Sequence, residues 1–260
     1  KNQKLVNFFN ASHIWHWELQ NWQKKKDIKH FLSTFCETRW YSLAKVCISV
    51  STYEKGFQHC LLLSETDHPK YSEIENATIK SFIQDRYYFA DNDALTKVIK
   101  PVVDAIGRLE SSDSTLADIF KELIYIYQQI SLLNIPISDL KNHALTVIDK
   151  CTKEFDSDIY FITFFLSPAY KQLAISGKMN EDKIICACLK LARVWDFKKK
   201  KDAILPTREL ISYKNNDPPF NIPTLKPPRL FWSDFTGNAP LLHHFALKVF
   251  SIVPHGAACK

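Results

Sequence analysis

Apolar positions recur along this chain at intervals of three and four residues, the signature of helices with one buried face. Between residues 5 and 22, Leu5, Phe8, Phe9, Trp15, Leu19 and Trp22 share such a face and predict one amphipathic helix. After Lys24, Lys25, Lys26 and Asp27 the pattern resumes. It predicts a helix from about residue 40 through 53 that continues or kinks at Gly56 toward Leu63, then a loop around His68 and Pro69. Leu95, Val98, Ile99, Val102, Ala105, Ile106 and Leu109 form the next stripe, with Pro101 placing a kink. Residues 110–114 supply capping groups for a stripe of Leu116, Ile119, Phe120, Leu123, Ile126, Tyr127 and Ile130. Ser138 can start a helix to about residue 155, residues 184–195 read as another, and Leu241, Leu242, Phe245, Ala246, Val249 and Phe250 form a last stripe. Residues 159–166 are almost uniformly apolar, and the Pro- and Asn-rich run 215–228 reads as a connector.

Composition agrees with a mainly α protein. Only 5 glycines occur in 260 residues, whereas aromatic residues make 13% and hydrophobic residues 46%, so tight hairpins have few sites and a substantial core is within reach. No apolar run reaches the roughly 20 residues that a membrane-spanning helix needs, and no membrane partner is expected. The seven cysteines are scattered and odd in number, which reads as reduced thiols of an intracellular protein. A net charge of +6 permits contact with a phosphate backbone without requiring it. Glycine-rich phosphate loops and a Gly-x-Ser-x-Gly elbow are absent, so nucleotide-binding and serine-hydrolase readings lack support. Cys186 and Cys188 are spaced too closely for a zinc knuckle and fall on different helix faces.

Two stretches carry a resemblance. Thr38-Arg39-Trp40-Tyr41-Ser42 resembles the Thr-Arg-Trp-x-Ser motif in the helical insertion of hAT-type (hobo/Activator-type) DNA transposases. Residues 230–260, with Trp232, a Pro-led apolar helix and Pro254-His255-Gly256-Ala257-Ala258-Cys259, look like the start of the dimerisation region of the same enzymes. Residues 95–118 are similar to the insertion as well. Leu166-Ser167-Pro168-Ala169-Tyr170-Lys171 resembles the family's Leu-Asp-Pro-Arg-Tyr-Lys but lacks its acidic and basic pair.

The resemblance implies a helical insertion domain over 1–200, a connector with a candidate carboxylate helix over 201–228, and a truncated dimerisation region over 229–260. Family members have an RNase H-like core in which three carboxylates hold two divalent metal ions, magnesium or manganese, that cut transposon-end DNA. Both catalytic Asp residues are expected upstream of residue 1 in a longer reading frame. Glu209, in Glu209-Leu210-Ile211-Ser212-Tyr213, is the best match to the third, as catalytic and metal-binding residue. Its plainer reading is a first-turn acid favoured by the helix dipole. Trp40 would stack on an extruded base and Arg39 would contact phosphate or the neighbouring base; the alternative is a core tryptophan beside a surface arginine. Trp232, Leu241, Leu242, Phe245 and Phe250 would serve subunit association, with part of their stripe left uncovered.

The chain alone is therefore expected to bind no metal and to be inactive. A nuclear location and DNA as partner follow from the resemblance. The competing readings are a decayed or domesticated, non-enzymatic DNA-binding or dimerisation module, and a helical scaffold without a nucleic-acid role.

Overall fold

Ser12 divides what the spacing reads as one N-terminal helix. Its extended backbone (φ −87°, ψ 114°) ends α1 (Asn2–Ala11), and its hydroxyl accepts from the Trp15 N–H to start α2 (His13–Lys25), a serine N-cap. The six-residue gap between the buried Phe9 and Trp15 is the trace of this break. The computed structural model describes residues 1–37, 41–66, 73–155, 157–176, 181–195, 207–222 and 226–254. Among them are thirteen helices and no strand, so the protein is mainly α. The remaining helices are α3 (Ser42–Ser64), α4 (Ala77–Gln84), α5 (Arg86–Leu109), α6 (Leu116–Ser131), α7 (Ser138–Glu154), α8 (Asp158–Leu166), α9 (Lys171–Ser176), α10 (Glu181–Val194), α11 (Thr207–Asn215), α12 (Pro228–Ser233) and α13 (Pro240–Phe250).

The chain forms two compact units, one of residues 1–104 and 129–145, the other of 105–128 and 146–260. In the first, α1, α2, α3 and α4 pack around Leu5, Phe9, Leu19, Val50, Tyr53 and Phe57. Helix α3 runs unbroken through Gly56. That glycine serves close approach: a Cβ there would stand 2.8 Å from Leu19 Cδ1 and from Trp22 Cε3, inside van der Waals contact. A buried polar cluster joins α1, α3 and α5. The Asn92 amide donates to the Cys47 carbonyl (2.9 Å) and the Ser51 hydroxyl (2.7 Å) and accepts from Asn2 (2.6 Å).

In the second unit, α8 is the central element, packed by α9, α10 and α13. Ile162, Thr163, Phe164, Phe165 and Leu166 are all buried. A helix covered on every side has no polar face, which is why residues 159–166 carry no helical periodicity in the sequence. Helix α11 and Phe220 enter the same core, so part of the expected connector is packed interior. The hydrophobic contacts that bring Ala117 and Phe120 of α6 onto Phe164 complete this unit.

Candidate nucleic-acid interface and the motif core

Three of the motif stretches meet at the end of α8. A helix leaves its last carbonyls without intrahelical partners, and here side chains supply them. The Tyr213 hydroxyl donates to the carbonyls of Leu166 (3.0 Å) and Phe165 (3.2 Å), and the Trp232 indole N–H donates to Leu166 (2.9 Å). Both rings are buried and lie 4.9 Å apart between centroids. Burial pushes the Tyr213 hydroxyl well above its ordinary pKa, which keeps it a donor.

Lys171 closes the neighbouring helix end. It is 5% exposed, and its ammonium donates to the Tyr213 carbonyl (2.7 Å) and to the Asn216 side chain while lying 4.3 Å from the Tyr213 ring centroid. A cation at the last carbonyls of α11 complements the helix dipole. Burial lowers its pKa to about 8. Asn216, in the left-handed region at φ 59°, ends that helix in the manner expected of Asn. Tyr170 of the same stretch donates to Asp118 Oδ1 (3.0 Å), whose other oxygen accepts from the Thr115 N–H (2.8 Å) and hydroxyl (2.9 Å) at the start of α6. Ser167 buries a hydroxyl that makes no hydrogen bond among the described residues.

Helix α13 is held at both ends. Glu209 Oε2 accepts from the Leu242 N–H (2.8 Å) in its first turn, and Arg229 Nε donates to the Phe250 carbonyl (2.8 Å) at its last. Acid at the N-terminus and base at the C-terminus is the favourable polarity. Glu209 is thus both a first-turn acid of α11 and a cap for a second helix. Among the described residues no group of three His, Cys, Asp or Glu is placed to hold a metal ion.

The uncovered stripe expected at the C-terminus is closed. Trp232, Leu242, Phe245 and Phe250 are each at most 1% exposed, and Leu241 packs partly buried against the same core. The partners come from α8, α10, α11 and α12 of this chain, which the sequence spacing of α13 alone could not reveal. Cys186 is exposed and Cys188 buried, in line with their different faces.

Thr38, Arg39 and Trp40, like the Lys198–Lys201 run, lie outside the described residues. Their neighbour Ser42 is described, and it acts as a clamp: its hydroxyl donates to the Cys36 carbonyl (2.7 Å) and accepts from the Cys36 N–H (3.1 Å). Two more bonds pin the extended residues 28–36 along α3. Tyr53 donates to the His30 carbonyl (3.1 Å), and the Ser33 N–H donates to Ser49 Oγ (3.2 Å). Between segment and helix lies a cleft of about 900 Å³. Lys29, His30 and Lys45 line it and are exposed, and the Lys45 ammonium sits 4.3 Å from the Tyr41 ring centroid, within cation–π range. Sequence reading had not singled out Lys29, Lys45 or Tyr41. The available signal was Lys29-His30 ahead of the Thr-Arg-Trp motif and Lys45 one helical turn after Ser42.

Compared with known proteins, the chain matches no protein-family model and no curated protein.

Proposed function

We propose that this chain is part of a hAT-type transposase-like protein, comprising its helical insertion and the start of its C-terminal region, and that it contacts transposon-end DNA beside the Thr-Arg-Trp motif. The observation that carries the reading is the contact between separated motif stretches: Tyr213 of the Glu-Leu-x-x-Tyr stretch and Trp232 both donate to the Leu166 carbonyl at the end of α8, and Lys171 of the Pro-x-Tyr-Lys stretch donates to the Tyr213 carbonyl near the end of α11. A cleft lined by Lys29, Lys45 and Tyr41 supports a DNA partner, and a nuclear location accompanies it. In the complete enzyme, divalent metal would supply the strand-cutting chemistry. Arg39 would hold phosphate and Trp40 would stack on an extruded base.

The test is fluorescence anisotropy of the chain with a duplex carrying one extrahelical base and with its fully paired counterpart. Trp40→Ala should abolish the preference for the extrahelical base, roughly a tenfold effect or more for a lost stacking contact, while Arg39→Ala weakens both duplexes. Absence of binding to either DNA overturns the reading.

The second reading, a domesticated module without catalysis, is favoured by one specific observation: the Glu209 carboxylate caps α13. Under that reading DNA contact persists and metal-dependent cutting does not. The self-association expected through the C-terminal region has no support from the α13 stripe, which is buried within this chain.

A further inference from the structure

We propose that the cleft between residues 28–36 and α3 is a track for a single DNA strand, with Lys29 and Lys45 on its phosphates and Tyr41 beside its bases. The proposal rests on the DNA-contact reading above and narrows it to a site and a form of the ligand. Charge is the first argument. Among the described residues no carboxylate lines the cleft, although the chain holds 28 Asp and Glu residues. Lys29 and Lys45 make no ion pair among the described residues, as holds for Lys4 and Lys100 elsewhere on the surface, but these two share one concave lining. Unneutralised ammonium groups facing a concave surface focus a positive potential there. Exposed Lys24, Lys25 and Lys26 stand just before the segment that forms the cleft wall.

Shape is the second. Duplex sequence is read by elements that project into a groove, while a concave channel combining cations with aromatic faces suits an unpaired strand. Preorganisation is the third. The wall segment is tied to α3 through His30, Ser33 and Cys36, so little main-chain ordering is left to oppose binding. Thr34 also lines this space, and its hydroxyl can donate to a phosphate oxygen; the Thr52 hydroxyl beside it donates to the Ile48 carbonyl (2.9 Å).

The experiment titrates the chain into a fluorescein-labelled single strand of about ten nucleotides, a length within the usual single-strand site sizes, and into the corresponding duplex, over a range of salt. The single strand should bind the tighter. Lys29→Glu with Lys45→Glu should weaken it by about tenfold or more and lower the salt dependence by about 1.4 in log–log slope, the value for two phosphates. Lys4→Glu with Lys100→Glu, two exposed lysines outside the cleft, carries the same net charge and should leave the slope intact. Equal weakening by both double variants, or tighter binding of the duplex, overturns the cleft assignment and leaves DNA contact standing. No binding of either DNA overturns both.

Discussion

At the end of α8 the indole of Trp232 and the phenol of Tyr213 reach one carbonyl, whereas along the cleft of the first unit the ammonium groups of Lys29 and Lys45 meet no acid among the described residues. The first arrangement is closed: donors and acceptors satisfy one another away from water, as buried polar groups must. The second has polar and cationic groups with unused capacity toward solvent. Motif residues can therefore belong to either class, and residue type alone does not tell them apart. A tryptophan or a glutamate that looks chemical can be consumed by the main chain. The surface with capacity for a ligand is the one whose hydrogen bonds go to its own scaffold and whose charges do not.

The comparison breaks most sharply at Trp232. Trp232→Ala should cost about 3–5 kcal/mol, the usual range for a buried large aromatic, and leave one acceptor less well satisfied. Lys45→Glu should stay within about 0.5 kcal/mol, as surface changes do. Urea denaturation of the two variants checks this, and a Trp232→Ala protein as stable as the parent would end the description of a closed core.

Lys171 gives the next effect through pH. Its ordinary pKa of 10.5 is lowered to about 8 by burial, so between those values the unfolded chain holds a proton that the folded chain has released. Stability from this group therefore rises with pH through the window, approaching about 1.4 kcal/mol per pH unit at its steepest, and is flat below it. Tyr213 and Cys188, both raised by burial, act in the opposite sense at high pH. The difference between the parent and Lys171→Met isolates the lysine. A difference independent of pH from 7 to 10 would show that the ammonium is not desolvated.

Within the first unit, Asn92→Ala removes one side of the cluster that includes Ser51 and Asn2. An expected loss of about 1–3 kcal/mol follows for donors and acceptors left buried without partners, read as a lower urea midpoint. Affinity for DNA in the variant that remains folded should be unchanged, since the cluster lies apart from the residues lining the cleft.

One apolar face against solvent leaves a period that survives in the sequence: helices α3, α6, α7, α10 and α13 fall close to where the spacing places them, the 95–109 stripe finds only the second part of α5, and α4 was not expected. The failures have separate causes. Ser12 caps and divides a face whose period continues on either side, and α8 is apolar all round. Short α9 and α12 offer too few turns for a period. For the site, the order of the motif stretches was legible, but their partners were not. That Lys171 would find the end of α11, or Glu209 the start of α13, depends on contacts between residues tens of positions apart. Nor did the stripe of α13 reveal that Trp195 would close over Phe245.

The smallest expected effect, and the one that most sharpens the comparison, concerns Glu209. In the structure it caps α13, so Glu209→Ala should cost about 0.5–2 kcal/mol, in the range for lost helix caps, by freeing the Leu242 N–H. Glu209→Gln retains an oxygen acceptor at the same reach and loses only the charge at the dipole, a change of about 0.3–1 kcal/mol. Urea denaturation should therefore rank the parent, Gln and Ala in that order, with Gln nearer the parent. A metal ligand behaves differently, because an amide is a poor substitute for a carboxylate on a hard divalent cation. In a complete protein that cuts DNA, the conservative Gln would then abolish cutting while stability barely moves. If cutting instead tracks stability across both substitutions, Glu209 belongs with Trp232 and Tyr213 in the closed class, and the chemistry lies with other carboxylates.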